Sequence, residues 1–295
     1  MFCYNPSFLV QKIVYISQGI LKSNIQNAMI ESLINPIFAV VNINNKFMLG
    51  LISAMYEEMD RVLSQLEHVE SQVIGQRTFY RGTFQNHELI LVFSRWGKVA
   101  AATTVTQLIN TFKVDQIVFS GVAGSIHPQV KVGDIVLANA LVQHDMNASP
   151  LFPPTEIPLL EKSVFQPHFE PKLENAIQHF AHQYAAYFSK ETLENFGISK
   201  PQLHHGKIAS GDLFVHSKSQ IDTIVLHHPD TLCVEMEGAA VAQVCYEYGI
   251  PYQIIRIISD EANANAHVDF PLFAKEVAGK YTLEILKHWF KASSL

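Results

Sequence analysis

The sequence predicts an α/β fold, a mostly parallel or mixed sheet covered by helices on both faces. From residue 47 onward, short apolar runs alternate with stretches of helical period. Most of those runs lack the polar face that a strand open to water would keep. Composition agrees: 48% of residues are hydrophobic and only 16% charged, against about a quarter charged in an average domain. The 295 residues would fit two small domains or one large one, and length alone does not choose.

Residues 1–47 are apolar in patches, Phe8-Leu9-Val10 and Ile13-Val14-Tyr15-Ile16, but Gln11, Lys12 and Gln18 interrupt them. They fall short of the about 18 consecutive apolar residues of a membrane span. A basic start, a clean apolar run and a small-residue cleavage site are also missing, which argues against a secretory signal. The stretch is expected to be an N-terminal extension of unassigned role, with Met48 a natural alternative start because a buried strand begins beside it. FMLGLISAM then reads as that strand and EEMDRVLSQL as an amphipathic helix. HELILVFS (87–94) is a second strand. GKVAAATTVTQLINTF (97–112) has the small residues of a helix packed closely on a sheet, and DQIVFSGVAG (115–124) is a strand ending in a glycine-rich turn. The alternation resumes in HHGKIASGD, TLCVEME, AAVAQVCYEYG and PYQIIRIISD. Residues 147–203, with a polar helix around 171–188, interrupt it without a convincing core of their own and read as an excursion. A closing helix from Pro271 to Phe290 offers Leu272, Phe273, Val277, Leu283, Leu286 and Phe290 as its buried stripe. The expected organisation is one catalytic domain over 48–295.

Charge and cysteine content narrow the function. With 21 basic and 27 acidic residues the net charge is −6, and no dense Lys/Arg block exists to gather a polyanion. Nucleic acid and membrane are therefore poor partners. Cys3, Cys233 and Cys245 form no CxxC pair and an odd set, so a reducing, cytoplasmic location is the simplest expectation. The 14 histidines are scattered, HExxH is missing, and His144-Asp145 or His204-His205 lacks partners for zinc, so no metal is expected. Without GxGxxG or GK[ST], dinucleotide and nucleoside-triphosphate chemistry is disfavoured and no organic cofactor is expected.

In open α/β sheets ligands gather beyond the carboxyl ends of strands. Four clusters fall there: Glu57-Glu58, the run Ser120 to Gly124, Glu235-Met236-Glu237, and Ser259-Asp260. Each has a bland reading, since Gly121 and Gly124 can make a tight turn, Glu237 can start a helix and Ser259-Asp260 can cap one. Together they point to a cleft doing acid/base chemistry with carboxylates, Glu58 and Asp260 foremost.

The stretches GLISAMYEEM, WGKVAAA, SGVAG, VGDIV, HDMN, SGDLFV, VEMEGAAVAQVC and RIISDEA run in order over 48–290. They resemble the nucleoside phosphorylase superfamily, specifically its bacterial 5′-methylthioadenosine/S-adenosylhomocysteine nucleosidases. The resemblance implies a three-layer fold with a central mixed, twisted sheet flanked by helices. It also implies hydrolysis of an N-glycosidic bond, releasing adenine and a 5′-thio-substituted ribose. On it, Glu58 activates water and Asp260 helps protonate adenine at N7, which requires its pKa to rise in the closed pocket. Ser259 supports Asp260, backbone near Phe214 and Val215 holds the purine edge, and Phe214 stacks on the base. Glu237 and Met236 take the ribose, Phe270 approaches its 5′ side, and Val122, Ala123, Gly124 and Glu235 complete the binding set.

Departures from the pattern keep two other readings open. Ser94-Arg95-Trp96-Gly97 stands where the family often has SGIG. If Arg95 faces the cleft, it favours a phosphate-dependent purine nucleoside phosphorylase. A non-catalytic purine-nucleoside-binding protein is the other alternative. Asn147 and Val122 also replace more usual residues. The expected partners are adenine nucleosides, water and a second copy in a homodimer, with Leu151, Phe152, Ile157, Pro158 and Leu159 crossing an interface or closing over the 5′ group.

Overall fold

A computed structural model describes residues 47–263 and 266–293. The extension at 1–46 lies outside them. Ten strands form one sheet: β1 Met48–Ser53, β2 Glu67–Ile74, β3 Arg77–Phe84, β4 His87–Phe93, β5 Gln116–Ser125, β6 Ile135–Gln143, β7 Val164–Phe165, β8 Leu203–Ser210, β9 Thr231–Glu235 and β10 Tyr252–Asp260. β1 lies between β4 and β5, parallel to both. β5, β10, β6, β8 and β9 close into a ring, because β10 pairs with both β5 and β6 while β9 returns antiparallel to β5. The sheet is therefore mixed, with the β2–β3 hairpin at its outer edge beyond β4.

Period-two alternation divides the core between the two faces of this sheet. Met48 and Ile52 of β1, Ile90 and Val92 of β4, and Ile117 and Phe119 of β5 face one cluster. Leu49 and Leu51, Leu89 and Leu91, and Val118 face the other. Of the eight α-helices among the described residues, α1 is Asp60–Leu63 and α2 is Lys98–Gln107, followed by a wide π turn at Leu108–Phe112. α3 is Pro171–Gln183, α4 Lys190–Asn195, α5 Lys218–His227 and α6 Gly238–Tyr248. α7 Ala266–Phe273 passes through another π turn into α8 Gly279–Ser293. Ala101 and Val105 of α2 with Ala239 and Val241 of α6 cover the first face. Leu173, Ile177 and Phe180 of α3 with Tyr281, Ile285 and Trp289 of α8 cover the second. The result is the three-layer α/β arrangement the sequence predicts.

Four local expectations change. EEMDRVLSQL makes only a 3₁₀ turn at Tyr56–Glu58 and the single turn α1, because β2 already begins at Glu67. Residues 121–124 are not a turn but the last part of β5, paired with β10 from Arg256↔Gly121 to Asp260↔Gly124. The 147–203 stretch contributes α3 to the main core instead of looping away from it. Leu272 is 51% exposed, outside the buried stripe that contains Phe273, Val277, Leu283, Leu286 and Phe290. Among the described residues no helix is long and apolar enough to cross a membrane, and Cys233 and Cys245 are buried free thiols.

Candidate active site

The carboxyl ends of β1, β5, β9 and β10 converge on one cleft of about 670 Å³, counted to its open mouth. Glu58, 1% exposed, sits in the turn after β1. Its Oε2 accepts the N–H groups of Ala54 (3.1 Å) and Met55 (3.0 Å), and its Oε1 accepts that of Val122 (2.8 Å). Gly121 makes this seat possible, since a Cβ there would stand 2.9 Å from Oε1. Gly124 does the same for the second acid, where a Cβ would stand 2.9 Å from Asp260 Oδ1. Two glycines in one strand thus leave room for two carboxylates at the end of the sheet.

Asp260 ends β10. Its Oδ1 accepts the N–H of Ala262 (2.8 Å), and its Oδ2 accepts the Ser259 hydroxyl (2.7 Å), which also lies 3.4 Å from the Ala123 carbonyl. Glu237, 5% exposed, stands at the start of α6 and accepts the Gly97 N–H at 2.8 Å. Gly97 has φ +93°, a conformation that favours glycine, and a Cβ there would press on Asp212 Oδ1 at 2.9 Å. Asp212 in turn caps α2 by accepting the Lys98 N–H at 2.8 Å.

A buried ion pair underlies these acids. Arg256 Nη2 donates to Glu235 Oε2 at 2.6 Å, and the guanidinium lies over the Phe119 ring, 4.1 Å from its centroid. Glu235 also accepts the N–H groups of Glu237 (3.0 Å) and Gly238 (2.7 Å) and the Ser210 hydroxyl. Its oxygens are thus committed to holding the start of α6, and with it Glu237, although the residue also borders the cleft. Burial lifts Glu58 from 4.5 to about 7, the Val122 N–H and Arg256 offsetting part of the rise. Burial and the neighbouring Glu235 lift Glu237 to about 8. Both groups therefore exchange protons near neutrality, which an exposed glutamate does not.

A family model described as the phosphorylase superfamily matches residues 48–290. The chain belongs to this superfamily. Within it, the chain is 33% identical to a 5′-methylthioadenosine/S-adenosylhomocysteine nucleosidase of Staphylococcus carnosus, over 81% of this chain and 99% of that one. It is 36% identical to an aminodeoxyfutalosine nucleosidase of Helicobacter pylori, over 78% and 93%. The solved S-adenosylhomocysteine nucleosidase of Streptococcus pyogenes in complex with 5-methylthiotubericidin superposes with a TM-score of 0.72 at 31% identity, covering 85% of this chain and 98% of that one.

All twelve residues singled out in this superfamily member's sequence border the same cleft. Val215 is buried, Phe214 is 36% exposed at the mouth, and Met236 lies between the two glutamates of its motif. Phe270 reaches the cleft from α7, its ring 5.7 Å from that of Phe214. Sequence reasoning missed Arg256, Trp96, Leu213, Ala54 and Met55 as lining residues. The signal for Arg256 was an arginine inside an otherwise apolar strand, which demands a buried acid. Arg95 is exposed and donates to the Gln76 carbonyl at 2.7 Å. It is tied to the β2–β3 turn, so the cation that kept phosphorolysis open is engaged outside the cleft. Asn147 accepts the Ser149 N–H at 2.9 Å in an Asx turn and does not line the cleft.

Proposed function

We propose that this protein hydrolyses the N-glycosidic bond of 5′-methylthioadenosine and S-adenosylhomocysteine, releasing adenine and the 5′-thio-substituted ribose. The observation that carries this reading is the placing of Glu58, Glu237 and Asp260 on three separate strand ends around one cleft, two of them seated against glycines of β5. A bond to adenine breaks through an oxocarbenium-like sugar, so charge must be removed from the base while water is delivered to the anomeric carbon. Asp260, oriented by Ser259 and the Ala262 N–H, protonates or hydrogen-bonds adenine at N7. Phe214 stacks on the base, and backbone at Phe214 and Val215 holds its edge. Glu237 and Met236 grip the ribose, with Glu235 and Arg256 fixing Glu237 from behind. Glu58, poised at about 7, takes the proton of the attacking water. The buried carboxylates also favour the cationic sugar electrostatically.

A homodimer is part of this proposal, supported by Leu151 and Leu159, apolar side chains that are 83% and 93% exposed. So does a cytoplasmic location. Incubating the pure protein with methylthioadenosine and with S-adenosylhomocysteine, and separating the products, tests the reading. Adenine and a free thioribose are expected; binding without adenine release would make it a nucleoside-binding protein instead.

A further inference from the structure

His144-Asp145 takes no part in the proposed chemistry, yet it stands directly after β6 and reaches two other segments that shape the cleft. The His144 N–H donates to the Ser210 carbonyl at 2.9 Å, and the His144 ring fills the space beside Gly211, where a Cβ would collide with Nε2. Asp145 Oδ2 accepts the Asp212 N–H at 2.8 Å, and its Oδ1 accepts from Lys98 Nζ at 2.6 Å. Asp212 closes the ring, its Oδ1 accepting the Lys98 N–H at 2.8 Å where α2 begins. Burial pushes the Asp145 carboxyl up, but the Lys98 ammonium and the Asp212 N–H outweigh it and hold the group below the usual carboxylate range. The Lys98 and Asp145 side chains keep only 17% and 29% of their surface exposed, so water screens the pair less than an open surface pair.

The ring joins the two halves of the cleft. On one side Asp212 stands two residues before Phe214, where the stretch proposed to hold the base begins. On the other, Gly97 stands one residue before Lys98 and gives its N–H to Glu237, the carboxylate proposed to take the ribose. Asp145 itself does not border the cleft. We infer that Asp145 is a positioning residue: through Asp212 and Lys98 it locks the loop after β8 to the start of α2, so that base and ribose are gripped in one register. Its two oxygens face two donors, a demand that asparagine, with one acceptor oxygen and an NH₂, cannot meet. The inference rests on the nucleosidase reading for what Phe214 and Glu237 hold, so its test reads binding apart from chemistry.

The measurement is calorimetric titration with adenine and with 5′-methylthiotubercidin, which lacks the N7 that Asp260 would protonate. The wild-type chain is compared with Asp145→Ala, Asp145→Asn, Lys98→Met and the Asp145→Ala/Lys98→Met double variant, each with its thermal midpoint. Asp145→Ala is expected to weaken both compounds about tenfold, and Asp145→Asn by at least about threefold. The double variant should lose less than the two single losses combined, because the ring acts as one unit. With methylthioadenosine, KM should rise about tenfold in Asp145→Ala while kcat falls less than about threefold, since Glu58 and Asp260 are seated on β5 outside the ring. A purely structural role would lower the thermal midpoint and leave both affinities within twofold of the wild type in the folded variants. That result overturns the inference, as does a wild-type chain that binds neither compound. Asp145→Asn, nearly isosteric, carries the same test if Asp145→Ala does not fold. Failure of the hydrolytic reading looks different: the variants still bind both compounds more weakly, yet methylthioadenosine yields no adenine with the wild type.

Discussion

Replacing Glu58 by glutamine should change the pH dependence of folding stability as well as activity. Burial raises this carboxyl from 4.5 to about 7, a gap on the order of 3 kcal/mol at about 1.36 kcal/mol per pH unit. The folded chain holds the proton more tightly than the unfolded one. The resulting stability is complete below pH about 4.5 and is lost as pH rises through about 7. Glutamine never ionises and escapes that loss. Its amide end, however, must face either the Val122 N–H or those of Ala54 and Met55, and a buried donor left without an acceptor costs about 1–3 kcal/mol. Glu58→Gln is therefore expected to be the less stable protein in acid and to gain about 3 kcal/mol on the wild type between pH 4.5 and 8.5. Urea unfolding followed by tryptophan fluorescence at each pH measures the difference directly. A difference that stays constant across that range would refute the raised carboxyl and the poised base built on it.

Other outcomes follow from the same geometry. Steady-state kcat/KM should climb as pH rises through about 7, where Glu58 ionises, and Glu58→Gln should lose about 10²–10⁴ in adenine release. Asp260→Asn should slow adenine release by a similar factor and alter the pH–rate profile; an unaltered profile would remove Asp260 from proton delivery. Gly121→Ala sets a methyl 2.9 Å from Glu58 Oε1, and should cost about 1–3 kcal/mol in chemical denaturation together with activity, whereas an active, equally stable variant would contradict the glycine seat. Arg256→Met leaves the buried Glu235 carboxylate without its partner and should cost about 3–5 kcal/mol, read as a large drop in thermal midpoint.

The layers were legible because β1, β4, β5 and β10 are apolar on both faces, and continuous apolar runs of strand length alternating with helical stretches are visible without any tertiary information. The hairpin of β2 and β3 was not, since β2 is exposed along most of its length and carries no buried stripe. The acids that border the cleft were legible because polar residues at the ends of apolar strands stand out. The glycines of β5 were misread as a turn: sequence reports the missing side chain but not the carboxylate that fills its place. The role of Glu235 was likewise hidden, because its partner Arg256 lies 21 positions away and only the fold brings the pair to 2.6 Å. Trp96 escaped attention as a lining residue because nothing local distinguishes an exposed indole from one that guards a cleft.

Hydrolysis by water, rather than transfer to phosphate or binding alone, is tested most directly by product analysis of methylthioadenosine turned over by the pure protein with and without inorganic phosphate. Free methylthioribose and adenine at the same rate in both conditions is the predicted result. A sugar 1-phosphate formed only when phosphate is present, or no adenine in either condition, would contradict it.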